Sequence, residues 1–135
     1  MKREIKFRAW DKKGREMWGI SSIAFGRNDE ILWLDLDKEK AYPMENVNPD
    51  QVELMQYTGL KDKNGKEIWE GDIMHLDFKS KVLGRGKGAV KFKGGTFGLE
   101  FENDSFWPFL ANNDADVYEV IGNLYENPEL LKEEK

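Results

Sequence analysis

The sequence contains no cysteine, one histidine and four prolines in 135 residues, and it has no long uninterrupted apolar run. Without cysteine there is no disulfide framework, no thiol nucleophile and no thiolate metal site. The lone His75 excludes any motif built on paired histidines and leaves a single candidate for an imidazole base. No stretch approaches the roughly 20 apolar residues of a membrane-spanning helix, and the charged start Lys2-Arg3-Glu4 is followed by no apolar signal core. The chain therefore reads as cytoplasmic, with no membrane contact and no cofactor. What it has in quantity is charge, 35% of residues, and aromatic side chains: 5 Trp, 4 Tyr and 8 Phe. That is ample material for the core of one compact domain, or of two small ones.

The dominant period is two. Val90 and Phe92 alternate with Lys91 and Lys93, then Gly94-Gly95 intervenes, and Phe97, Leu99 and Phe101 alternate with Gly98 and Glu100. Two alternating runs around Gly-Gly predict a β-hairpin, because both central residues of the tight turn need positive φ. This pattern predicts that Phe92 and Phe97 fill the core beside Val90 and Leu99. Further strands are predicted at Ile5–Trp10, Ile31–Leu36, Val52–Tyr57, Ile73–Phe78 and Val117–Leu124. Asn127-Pro128-Glu129 sets a cap residue, a proline and an early acid in the order that opens a short C-terminal helix. The fold class is mostly β, many short strands with Gly and Asx turns as in a small barrel or sandwich, organised as an N-terminal β-hairpin region (1–50) and a second β region (51–135), with the boundary at the turn Asn48-Pro49-Asp50.

One octet occurs twice. Asp11-Lys12-Lys13-Gly14-Arg15-Glu16-Met17-Trp18 matches Asp62-Lys63-Asn64-Gly65-Lys66-Glu67-Ile68-Trp69 at Asp, Lys, Gly, Glu and Trp. Its chemistry is that of a hairpin turn: Asp accepts backbone hydrogen bonds, and Gly takes the left-handed position in each copy.

The opening Ile5-Lys6-Phe7-Arg8-Ala9-Trp10-Asp11 resembles the start of the YopX family, as does the block Leu54–Ile68 followed by Glu70-Gly71-Asp72-Ile73. The ending Val120–Leu131 is similar to that family's C-terminal signature. The resemblance implies a phage or prophage gene product and a small SH3-type β-barrel. It implies no activity and supplies no catalytic residue.

Candidate chemistry is sparse. Glu70, Asp72 and His75 are the nearest approach to a hydrolytic or metal-binding group, but a bend at Gly71 with a capping Asp72, and a strand histidine with a local hydrogen bond or in solvent, account for them better. No nucleophile–base pair is evident, and the chain is read as a non-enzyme. Charge is unevenly spread. Residues 78–99 hold Lys79, Lys81, Arg85, Lys87, Lys91 and Lys93 and no acid, within a chain of net charge −5. These six are the candidate contacts to nucleic acid. Phe106-Trp107-Pro108-Phe109-Leu110 is the densest apolar cluster; it reads as a loop that plugs the core or as an exposed patch, and in the second case Phe106, Trp107 and Phe109 are the candidate protein interface. The leading expectation is a self-associating or protein-binding module, a homo-oligomer or a partner of a host or phage protein. Nucleic-acid binding is the alternative.

Overall fold

A computed structural model describes residues 4–37, 42–77, 85–102, 104–108 and 117–132. The chain divides into two compact units, Ile5–Gln56 and Tyr57 onward. The described residues are mostly β: eleven strands in antiparallel sheets, one short 3-10 turn and one short helix.

In the N-terminal unit, β1 (Phe7–Asp11), β2 (Glu16–Phe25), β3 (Ile31–Asp37), β4 (Met44–Val47) and the first half of β5 (Val52–Lys61) form one sheet in the order β4-β3-β2-β1-β5. Alternation places Ala9 opposite Trp18, Ile20 opposite Leu36 and Ile23 opposite Leu34, so one face gathers the core. Leu34 and Leu36 are sealed from solvent. Burial of this kind stabilises the fold by about 1.5–3 kcal/mol per side chain. The Asn48-Pro49-Asp50 segment forms a 3-10 turn (Pro49–Gln51). The Asn48 side chain caps the Asp50 amide at 2.8 Å, and Gln51 reaches back to the Asn48 amide at 3.0 Å.

β5 runs on into the C-terminal unit, where it pairs with β6 (Glu67–Trp69). The register of this ladder shifts between Tyr57 and Lys61. Gly59 has φ +89°, and the Thr58 hydroxyl repairs the gap by donating to the Ile68 carbonyl at 2.7 Å. The second sheet of this unit contains β7 (Asp72–Asp77), β8 (Arg85–Lys93), β9 (Thr96–Phe101), β10 (Phe106–Pro108) and β11 (Tyr118–Asn123), in the order β10-β9-β8-β7-β11. Its core is Ile68, Met74, Leu76, Val90, Leu99 and Tyr118. Pro108 lies on an edge strand, where its missing amide costs no ladder bond. The helix α1 (Glu129–Lys132) follows β11, and Gly122 makes room for it: a Cβ there would meet Asn127 Oδ1 at 2.5 Å and Leu130 Cδ1 at 2.8 Å.

The Gly94-Gly95 hairpin forms as expected, with φ +60° and +85°. Two other expectations need correction. The repeated octet makes two different turns. In the second copy Gly65 takes the left-handed position (φ +81°) in a three-residue loop, but in the first copy that role falls to Arg15 (φ +56°), one residue later. Gly14 serves a different need, since a Cβ there would lie 2.5 Å from Asp11 Oδ2. Phe92, expected in the core, is 53% exposed. It shares a face with Val90 and Leu99, but it stands at the hairpin tip, beyond the end of the core.

Candidate functional site

Of the acids singled out for chemistry, Asp72 holds the backbone. Gly71 (φ +86°) turns the chain between β6 and β7; its amide donates to the Val90 carbonyl at 2.9 Å, and its carbonyl accepts from the Leu124 amide at 2.8 Å. Asp72 is buried, and its Oδ2 accepts the Trp69 amide at 2.8 Å. His75 faces away from the core and pairs in register with Glu119 on β11 and Lys87 on β8. Among the described residues, no three of His, Asp or Glu are grouped to hold a metal ion.

Asp62 does more than open its turn. Its Oδ1 accepts the amides of Asn64 and Lys66, each at 2.9 Å, and Oδ2 accepts the Val120 amide at 2.9 Å from β11. The Lys63 amide completes the junction by donating to the Tyr118 carbonyl at 3.0 Å. Burial by itself would raise this carboxyl's pKa. The three amide hydrogen bonds and the nearby Lys66 ammonium outweigh it and hold the group below the usual carboxylate range.

The basic segment is partly committed within the chain. Lys79 and Lys81 lie outside the described residues, and Arg85 is the first residue of β8. Lys87 donates to the Leu130 carbonyl at 2.7 Å, a C-terminal cap on α1. Lys91 and Lys93 flank Glu100 on the neighbouring strand; Lys91 approaches it at 3.9 Å and Lys93 makes a short ion pair with it. The hydrogen bond from Lys93 is the main reason the Glu100 pKa is lowered.

The aromatic cluster divides by strand alternation. Trp107 pairs with Leu99 and packs on the core, whereas Phe106 pairs with Glu100 on the opposite face, its ring 5.8 Å from the Lys93 ammonium. Phe109 lies outside the described residues.

A surface that the period-two reading missed lies in the N-terminal unit. Six of the eight large apolar side chains exposed among the described residues belong to it, including Phe25, Leu32, Trp33 and Tyr42. Trp33 is 42% exposed and pairs with Ala24; beside them Ser22 pairs with Asp35. The Asp35 carboxylate accepts from the Ser22 hydroxyl at 2.6 Å and the Asn46 amide at 2.9 Å, and both bonds lower its pKa. The signal was in the run Ile31-Leu32-Trp33-Leu34. Four consecutive apolar residues on a strand cannot all face one core, so some must face outward.

These features define a class: a mostly β protein of two small units whose buried acids serve the backbone. The chain belongs to the YopX family, whose model, described as YopX protein, matches residues 6–132. It is similar to the crystal structure of protein EF1440 from Enterococcus faecalis, with 30% identity and a TM-score of 0.70 over 96% of this chain and 99% of that one. It is also similar to the crystal structure of protein yopX from Bacillus subtilis, at 25% identity and a TM-score of 0.64, covering 96% and 98%. No curated protein matches it in sequence. No helix among the described residues is long and apolar enough to cross a membrane.

Proposed function

We propose that this protein is a non-enzymatic accessory protein of a phage or prophage that works in the host cytoplasm by binding protein, in the first instance a second copy of itself. The observation that carries this reading is the large apolar side chains that β2 and β3 leave in water: Phe25 is 63% exposed and Trp33 42%, with Leu32, on the opposite face of β3 from Trp33, 44% exposed. Large aromatic side chains on a polar-rimmed surface are the usual anchors of protein interfaces. An SH3-type barrel in the C-terminal unit fits the same role. Its support is the strand order, a four-strand meander with the last strand returning beside the first, and the tie from Asp62 to β11.

The test is sedimentation velocity over a wide concentration range, comparing the wild type with the double variant Phe25→Ser/Trp33→Ser. Association that disappears in the variant, while its urea midpoint does not fall, supports the reading. A wild type that stays monomeric throughout overturns it.

The alternative, a nucleic-acid contact spread over Lys79, Lys81, Arg85, Lys87, Lys91 and Lys93, has the excess positive charge in its favour. As a strip of six cations it is weakened because Lys87 is committed to the Leu130 carbonyl, while Lys91 and Lys93 share the one carboxylate of Glu100.

A further inference from the structure

The β8–β9 hairpin ends in an unusual combination. Phe92 is 53% exposed, and Phe97 sits edge-on to it, with centroids 4.9 Å apart and planes at 66°. An edge-on neighbour fixes the ring while leaving it accessible to solvent. Between these two residues the chain turns through Gly94-Gly95, so no side chain at the turn blocks approach to the ring. On the other face of the same strands, Lys91 and Lys93 share the single carboxylate of Glu100, which leaves a net positive charge.

We infer that this hairpin tip is a binding site for single-stranded nucleic acid, with Phe92 as the stacking platform and Lys91 and Lys93 as the phosphate contacts. The inference narrows the nucleic-acid alternative from a strip of six cations to one tip and is independent of association through β2 and β3. The chemistry selects this ligand. An apolar protein partner would use the ring but would have no use for two ammonium groups. A duplex would satisfy the ammonium groups but would keep its base faces stacked inside. Only an unpaired strand offers an open π-face together with a flexible backbone whose phosphates can pass round the Gly94-Gly95 tip to the ammonium groups on the other face. In the free protein Glu100 stands in for the phosphate, so it competes with the ligand.

That competition makes the test specific. Fluorescence anisotropy with a labelled oligothymidine strand is expected to show binding at low salt, tighter than to a duplex of the same length. Phe92→Ala should weaken it about tenfold or more. Phe92→Leu should weaken it nearly as much, because it keeps the apolar bulk and loses the π-face. Glu100→Gln should tighten binding and steepen its salt dependence, by about 0.7 in log–log slope for each phosphate newly engaged. No binding at low salt, equal affinity for strand and duplex, or full affinity in Phe92→Leu would each overturn the proposal. So would Phe92-dependent binding to anionic phosphatidylserine vesicles without binding to the oligonucleotide. Running the series on Phe25→Ser/Trp33→Ser as well separates failure here from failure of the association reading.

Discussion

Replacing Asp62 with alanine removes the acceptor for three backbone amides at once: Asn64 and Lys66 in the β5–β6 turn, and Val120 on β11. A hydrogen bond to a charged group is worth about 1.5–3 kcal/mol, and a buried amide left without a partner costs about 1–3 kcal/mol. The two turn amides belong to exposed residues, where water can replace the lost oxygen, so they are expected to cost about 1 kcal/mol each. The Val120 amide is more enclosed and carries the larger share. The sum is about 3–5 kcal/mol, at the top of what single substitutions do. Asp62→Asn keeps one oxygen but must turn its amide nitrogen toward either the turn or Val120, so it should lose roughly 2 kcal/mol.

Urea unfolding followed by tryptophan fluorescence measures both, with an unchanged m-value as the condition for comparison. Asp11 provides the internal control. It occupies the equivalent place in the repeated octet, but its carboxylate accepts the Lys13 amide at a longer 3.2 Å, in an exposed turn. Asp11→Ala is therefore expected to cost about 1 kcal/mol or less. The pH dependence follows from the lowered pKa of Asp62. A carboxyl that binds its proton less readily when folded contributes stability above its unfolded pKa of about 3.9, and that contribution fades as pH falls through the lower folded value. The wild-type advantage over Asp62→Asn should accordingly shrink in acid. A loss below about 1 kcal/mol for Asp62→Ala, or one no larger than that of Asp11→Ala, would refute the assignment of Asp62 as the tie between turn and β11.

Two further predictions test neighbouring parts of the argument. Gly98→Ala would place a Cβ 2.5 Å from the Trp107 carbonyl oxygen and 2.6 Å from Phe106 Cζ, so β10 must shift; a loss of about 1–3 kcal/mol in urea unfolding is expected, with reduced amide protection at Phe101 and Trp107. Ser22→Ala removes the first and larger of the two bonds that lower the Asp35 pKa, and a carbon-detected NMR titration should show that carboxyl moving up toward its ordinary value while Glu100 stays put.

Strand positions were legible because alternation survives wherever one face is buried, as at Met74 and Leu76 or Val90 and Leu99. The Gly94-Gly95 turn was legible because few other residue pairs accept two successive positive φ values. The failures share a cause: local pattern does not say where a core ends. Phe92 obeys the alternation and still stands exposed, because no core residue lies beyond Val90 and Leu99 along that hairpin. Arg15 took a left-handed conformation beside an available glycine because loop length set the turn. Four residues separate Asp11 from Glu16 in the first octet, while in the second the Asp62 amide already pairs with the Lys66 carbonyl across three.

The same limit governs the reading of function. Residue type identified Asp72 and Lys87 as groups capable of chemistry and Asp62 as a turn former, but each has a backbone partner that only tertiary structure supplies: a bend, a helix end, and a distant strand. A polar group so engaged is costly to release, because its partner would be left unsatisfied. Large apolar side chains left in water are under the opposite pressure, since covering them lowers the free energy. Trp33 with Phe25 and Leu32 on one unit, and Phe92 on the other, are therefore where binding should be sought. Glu100 distinguishes the second surface: it pairs with Lys91 and Lys93 on the strands that carry Phe92, a charge pair that a polyanion could exchange, so removing that acid should strengthen binding there.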